Sequence, residues 1–113
     1  MEKREPSAAA LEAFDAIVTE LAASGAVLGN TFGAKAIMLN KKATACLNGD
    51  AMSFKLGRDS AEHASALALE GALLFDPSGM GRPFKDWVEV PLAHSEQWGE
   101  LAQSAIEFAA GAA

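Results

Sequence analysis

The N-terminal region has apolar residues at the spacing of an amphipathic helix. Ser7 is a candidate N-cap, and Ser24-Gly25 is a candidate end of the helix. The apolar stripe between them consists of Leu11, Phe14, Ile17, Val18 and Leu21. Residues spaced by three and four positions lie on one face of a helix. The pattern therefore predicts a helix whose apolar face packs against another element.

After this helix the pattern changes to alternating apolar and polar residues, which is typical of half-buried strands. Three such segments, AKAIML, ATACL and AMSFKL, are separated by the polar turns Asn40-Lys41-Lys42 and Asn48-Gly49-Asp50. Asn-Gly favours a tight hairpin, because both residues tolerate a positive φ. We expect an antiparallel meander of three strands, or of four if Val27-Leu28 contributes.

The alternation also predicts which side chains are buried. The core-facing set is Met52, Phe54, Leu56, Ala43, Ala45 and Leu47. The opposite, polar set is Ser53, Lys55, Thr44 and Cys46. Ser53 and Lys55 are therefore expected to face solvent, whereas a strand Cys between small residues is expected to be structural and unreactive.

The rest of the chain predicts two more helices and two more strands. Asp59 or Ser60 caps an Ala-rich helix that runs through Leu69, and ALLF is a short strand. Trp87 to Val90 is a final strand, and Ser95 starts the last helix. The order α-βββ-α-ββ-α predicts an α+β fold, in which three helices pack on a mainly antiparallel sheet of about five strands. With 113 residues and no linker or repeat, we expect a single domain, 1-113.

The cysteine and histidine residues of the chain do not have the spacing of metal ligands. Cys46 is the single cysteine, which excludes an internal disulfide and fits a reducing compartment. His63 and His94 are isolated in sequence, so we predict no metal and no cofactor, with His63 on the solvent side of its helix. No secretory signal or membrane-length apolar run is present, so we expect a cytoplasmic protein without a membrane partner.

The net charge is −6, but the cations are unevenly distributed. Residues 31–58 carry five cations against one acid, whereas the flanking segments are acidic. The acidic balance disfavours non-specific binding to nucleic acid. Two interpretations of the basic segment stay open: Lys at strand edges blocks edge-to-edge pairing, or the cations form an anion-binding surface. The second requires Lys35, Lys55, Arg58 and Arg82 to share one concave face.

The segment DPSGMGRPFKDW, residues 76–87, places Gly, Pro, Arg and Trp between two predicted strands. Asp76-Pro77-Ser78-Gly79 is typical of a turn, because Pro presets φ and Gly adopts a positive φ. The segment lacks the Gly-Lys-Ser/Thr of a phosphate-binding loop. We predict that it turns the chain and that Arg82 pairs with an acid of this chain. Pro83 has no N–H, so the final strand begins at or beyond it.

Two segments, TFGAKAIMLNKKATACLNGDAMSFKLG and GRPFKDWVEV, together resemble the N-terminal domain of the TfoX/Sxy family of bacterial competence regulators. The matching positions are Phe32, Gly33, Gly81, Arg82, Pro83, Phe84, Lys85 and Trp87. The likeness covers nearly the whole chain, although Thr31 stands where the family often has Met. The resemblance implies a stand-alone TfoX N-terminal-like domain with a regulatory ancestry. It implies no catalytic residues, because the family has none that are recognised.

The favoured hypothesis is a non-enzymatic regulatory or protein-interaction module, acting for example in transcription regulation through a protein partner. Its candidate binding residues are Met80, Arg82, Lys85, Trp87, Lys55 and Arg58. Aromatic residues and Arg dominate interface energies, but Trp87 is alternatively a core anchor. The second hypothesis is binding of nucleic acid or a small anionic ligand through residues 31–58 and the Gly79 to Lys85 loop. An enzyme with a pocket beside that loop ranks third.

Overall fold

Six strands form one antiparallel sheet and three helices pack on it in the computed structural model, which describes residues 5–31, 33–77 and 79–111. The strands are β1 (Val27–Thr31), β2 (Ala34–Leu39), β3 (Lys42–Asn48), β4 (Ala51–Lys55), β5 (Leu73–Phe75) and β6 (Phe84–Pro91). The helices are α1 (Ala8–Leu21), α2 (Ala61–Leu67) and α3 (Trp98–Gly111). Short 3-10 helices span Ala22–Ser24 and Leu92–Gln97. The strand order across the sheet is β1-β2-β3-β4-β6-β5.

The predicted α+β class is confirmed, together with the three helices and the antiparallel sheet. The described part of the chain has six strands, because Val27–Thr31 pairs fully with β2. Ser7 caps α1 as predicted, and its Oγ accepts a hydrogen bond from the N–H of Ala10 at 3.2 Å. Ser60 caps α2, which ends at Leu67 rather than Leu69. A 3-10 helix replaces the predicted start of the last helix, so α3 begins at Trp98.

The main core lies between the helices and one face of the sheet, which we call the helix face. Met52, Phe54 and Leu56 are buried there as predicted. They meet Phe14 of α1 and Trp98 of α3 in one cluster. Burial of large side chains such as these supplies most of the favourable free energy of folding. Within the described ranges, no helix combines the length and the apolar character needed to cross a bilayer.

A β-bulge in β3 reverses part of the predicted face assignment. Ile37 pairs with Ala45 and Met38 pairs with Ala43, so Thr44 is an extra residue between the two pairs. Its Oγ donates a hydrogen bond to the carbonyl oxygen of Ile37 at 2.9 Å. The bulge moves Ala43 to the second face of the sheet. There it packs against a separate buried cluster that includes Ala36 and Cys46. The prediction that Ala43 shares a face with Ala45 is therefore wrong.

The second face, which we call the open face, has a small buried cluster of its own, whose described members all lie in strands. Its buried members are Ala36, Cys46, Phe75 and Trp87. Ser53, predicted to face solvent, is fully buried on this face, opposite Cys46 in the β3–β4 register. The prediction was wrong because this face carries a buried cluster of its own, which includes Phe75 of β5 and Trp87 of β6, and strand periodicity alone does not reveal it.

Candidate functional site: a cationic groove beside the β5–β6 loop

A shallow groove of about 440 Å³ lies on the surface where β4 ends beside the start of β6. We call it the β6 groove. Its lining residues are Lys55, Arg58, Pro83, Phe84, Lys85, Asp86 and Trp87. Four of the six binding residues predicted from the sequence, Lys55, Arg58, Lys85 and Trp87, are thus brought together.

Strand register explains why these side chains converge. Lys55 is directly opposite Trp87 in the antiparallel pair of β4 and β6. Lys85 lies near the start of β6, where the register with β5 is irregular, and it lines the same groove. Lys55 and Lys85 therefore line one groove together with Trp87.

Two aromatic side chains, Phe84 and Trp87, line the groove, and both rings contact that of Phe75. The ring centroids of Phe75 and Trp87 are 5.6 Å apart, and Phe84 meets Phe75 edge to face at 6.2 Å. Such ring pairs stabilise a fold beyond the area that they bury. Trp87 is buried and belongs to the open-face cluster, so the core-anchor interpretation holds for most of its surface. Phe84, at 40% exposure, presents an apolar surface to solvent.

Arg58 is engaged within the groove by Asp86. Its Nε donates to Asp86 Oδ1 at 2.9 Å, and its main-chain N–H donates to the same oxygen at 2.9 Å. These hydrogen bonds hold the pKa of Asp86 below its usual value and raise that of Arg58. Arg58 therefore joins the turn after β4 to β6 through Asp86, and its charge is already compensated by that carboxylate.

The two lysines carry the positive charge that is left in the groove. Among the described carboxylates, none lies within 4.0 Å of the ammonium group of Lys55 or Lys85. The nearby Lys55 charge contributes to the lowered pKa of Asp86, although less than Arg58 does. The groove thus pairs two accessible cations with an aromatic surface in a chain of net charge −6.

His63 holds the main chain of Lys85 in place. The Nε2–H of His63 donates to the carbonyl oxygen of Lys85 at 2.8 Å. The expectation that His63 faces solvent is wrong, because it is buried beneath α2 against β6. Its role follows from the fold, and the sequence contains no signal for it. His94 similarly donates from Nε2 to the carbonyl oxygen of Glu70 at 2.8 Å.

The loop between β5 and β6 turns the chain between two antiparallel strands, as predicted. Asp76 organises it: its Oδ1 accepts from the N–H of Gly79 at 3.1 Å, and its Oδ2 accepts from that of Gly81 at 2.9 Å. Side-chain acceptors of this kind stabilise tight turns. Pro83 immediately precedes β6, so the expected limit on that strand is confirmed.

Met80 and Arg82 project from this loop outside the lining of the groove. Met80 is 78% exposed and Arg82 is also exposed. The expected internal ion pair of Arg82 does not form with any carboxylate in the described ranges. The expectation failed because the neighbouring acid, Asp76, lies in the turn and accepts from main-chain N–H groups.

The remaining cations of segment 31–58 do not share this surface. Lys35 precedes Ala36, which faces the open face, so the Lys35 side chain points to the helix face. There its Nζ lies 4.0 Å from Oδ1 of Asp15 in α1. Lys41 and Lys42 lie at the β2–β3 turn. The basic segment is thus divided between two faces and a hairpin tip, and it does not form one continuous surface.

Cys46 is a buried structural residue on β3, as expected. Burial, with a smaller contribution from the charge of Glu89, raises the pKa of its thiol to about 12. A thiol in this state is protonated and a poor nucleophile. In the described part of the chain, no group of three or more His, Cys, Asp or Glu is arranged to hold a metal ion.

Of the remaining motif positions, Phe32 lies outside the described residues, and Gly33 occupies the β1–β2 turn with φ of 73°. No family model, curated protein or solved structure matches the chain.

Proposed function

We propose that the chain is a non-enzymatic protein-interaction module that binds an acidic segment of a partner protein in the β6 groove. The observation that carries the proposal is that Lys55 and Lys85 line one groove with Trp87, without a described carboxylate within 4.0 Å of either ammonium group. Carboxylates of a partner would supply the missing counter-charges. An apolar side chain of the same segment would cover Phe84.

The aromatic lining favours a protein segment over a lone anion. Aromatic residues, together with Arg, are enriched among the residues that contribute most to binding energy in protein interfaces. The groove is shallow and open, whereas small-molecule sites are concave and bury most of their ligand. Met80 and Arg82, which the Asp76 turn holds beside the groove, extend the surface available to a partner.

A regulatory role remains part of the proposal and rests on the resemblance to the TfoX/Sxy N-terminal domain. The motif residues Gly81, Arg82, Pro83 and Trp87 carry that resemblance. Pro83 and Trp87 line the groove, and Gly81 and Arg82 directly precede Pro83, so the motif lies beside the proposed binding surface.

Selection from a random peptide library on the native protein tests the proposal. We expect enriched peptides to carry Asp or Glu next to an apolar residue. Lys55→Ala combined with Lys85→Ala should weaken these peptides at least about tenfold, which corresponds to about 1.4 kcal/mol. Lys41→Ala combined with Lys42→Ala removes the same charge at the hairpin tip and should leave affinity unchanged. Equal losses in both double variants would refute a specific groove.

A small carboxylate or phosphate ligand is the second candidate, favoured by the same two ammonium groups. Titration with inorganic phosphate separates the candidates. Saturable binding lost in the Lys55/Lys85 double variant, without peptide enrichment, would favour the small anion. Nucleic acid is less well supported, because Arg58 is paired with Asp86 and Lys35 lies on the other face. Few cations remain to release counterions from a phosphate backbone.

A further inference from the structure

The outer edge of β1 is an unprotected strand edge. β1 makes five residue pairs with β2 in a regular register, and no strand of the described residues lies on its other side. An unpaired edge presents main-chain N–H and C=O groups that can pair with another strand. Proteins usually protect such edges with charged residues, Pro or a bulge. The β1 sequence, VLGNT, contains neither a charge nor Pro, and its pairing with β2 is regular.

Apolar side chains border this edge on both faces of the sheet. Val27 and Leu28 are 58% and 54% exposed, an unusual exposure for two adjacent large apolar residues. Leu28 pairs with the helix-face residue Ile37, and Val27 pairs with Met38 on the open face. The edge therefore has an apolar border above and below its main chain.

Gly29, in the middle of β1, lets Met38 extend that border. A Cβ built on Gly29 would lie 2.5 Å from Met38 Cγ, so the Met38 side chain occupies the space above the glycine. The open-face border of the edge is consequently continuous from Val27 to Met38. Ordinary β-propensity does not explain a glycine here, but the packing of Met38 does.

The opposite edge of the sheet differs in the features that matter for pairing. β5 has only three residues, and its register with β6 is irregular between Leu74 and Phe75. Leu73 is exposed to a similar extent as Val27, at 59%. The two edge strands thus expose apolar side chains to a similar extent, but β5 is shorter than β1 and pairs less regularly with its neighbour.

We infer that β1 pairs antiparallel with β1 of a second copy of this chain, which joins two sheets across a two-fold axis at Gly29. In this register Val27 faces Thr31 of the second copy and Leu28 faces its Asn30, so no like charges oppose each other. A strand without charge suits self-association in a chain of net charge −6, because the acidic groups lie elsewhere. The interface is isologous and closes at two copies. This inference is independent of the proposed function of the β6 groove.

Sedimentation velocity over a range of protein concentrations tests the inference. We expect the mass to approach twice the 11.7 kDa of one chain. Leu28→Lys should return the protein to one chain mass, because a Lys on an edge strand disfavours edge-to-edge pairing and the two-fold axis places two of them in the interface. Leu73→Lys is the matched control and should leave the dimer intact. Val27→Lys repeats the test from the other face, and circular dichroism verifies that each variant is folded.

Hydrogen exchange gives a second readout. Main-chain amides of β1 should become protected as concentration rises in wild type and not in Leu28→Lys. A wild-type protein that stays monomeric at high concentration would overturn the inference. So would a dimer that persists in both β1 variants, or one that only Leu73→Lys disrupts.

Discussion

Asp86 joins the end of β4 to β6 through both its side chain and its main chain. Its carboxylate accepts from the Nε–H and the main-chain N–H of Arg58, each at 2.9 Å. Its carbonyl oxygen accepts from the N–H groups of Leu56 and Gly57 at 2.9 and 3.1 Å. One residue thus fixes the turn after β4 and the strand that carries Lys85 and Trp87.

The Arg58–Asp86 pair should make stability depend on pH in the acid range. The pKa of Asp86 is lowered in the folded state, first by the side-chain hydrogen bond from Arg58. A lowered carboxyl pKa contributes stability that is present above the unfolded pKa, about 3.9, and is lost as pH falls through the folded pKa. Asp50, whose pKa is lowered by hydrogen bonding to Ser7, acts in the same direction.

Urea unfolding between about pH 3 and pH 7 measures this effect. We expect the free energy of unfolding of wild type to fall below about pH 4, and that of Asp86→Asn to fall less steeply. Asp59→Asn removes an exposed carboxylate on the same turn and should retain the wild-type slope. Parallel curves for wild type and Asp86→Asn would show that the pair contributes nothing.

Phe54 should be among the most sensitive core positions. Its side chain is fully buried on the helix face at the middle of the sheet. Phe54→Ala should lower the free energy of unfolding by about 3–5 kcal/mol, because the lost burial is combined with a cavity. Phe84→Ala, at the partly exposed groove residue, should cost clearly less. A loss below about 1 kcal/mol for Phe54→Ala would contradict the face assignment.

The Cys46 thiol should be inert in the native protein. Its pKa of about 12 leaves almost no thiolate at neutral pH, and burial blocks access to reagents. We expect no reaction with an aromatic disulfide reagent at neutral pH until denaturant is added, after which one thiol reacts rapidly. Rapid reaction of the folded protein would contradict both its burial and its raised pKa.

Gly57 should tolerate substitution less well than another glycine of similar backbone conformation. Its φ is 86°, and a Cβ there would lie 2.5 Å from Phe108 Cε1. Gly81 has φ of 77°, and no atom of the described residues lies within 4 Å of a Cβ built there. Both substitutions to Ala carry a left-handed backbone cost of about 1–2 kcal/mol. Thermal unfolding should therefore show a larger loss for Gly57→Ala, and equal losses would contradict the contact with Phe108.

Local patterns predicted the elements well because helix and strand periods are encoded in neighbouring residues. The cap at Ser7 and the buried alternation of Met52, Phe54 and Leu56 are examples. The bulge at Thr44 was missed because a single extra residue leaves the composition of a strand unchanged. Ser53 was assigned to solvent because the buried cluster on its face of the sheet includes Phe75 and Trp87, which are distant in sequence.

The sequence predicted most of the residues that line the candidate site, but only part of how they are arranged. Lys55, Arg58, Lys85 and Trp87 were chosen by residue type, and strand pairing brings them together. The sequence did not reveal that Asp86 engages Arg58 or that His63 holds Lys85, because both contacts join residues more than twenty positions apart. The Asp-Pro-Ser-Gly turn was the one local signal that could have assigned a role to Asp76.

The two indole groups of the chain allow the most direct test of the β6 groove as a protein-binding site. Trp87 lines the groove, whereas Trp98 is fully buried and donates from Nε1 to the carbonyl oxygen of Val90 at 3.2 Å. The measurement is a titration of the nitrogen-15-labelled protein with a selected acidic peptide, followed by two-dimensional NMR. We predict saturable shifts of the Trp87 indole and of amides 84–87, with an unchanged Trp98 indole. Binding that leaves the Trp87 indole and those amides unshifted would contradict a site in the β6 groove.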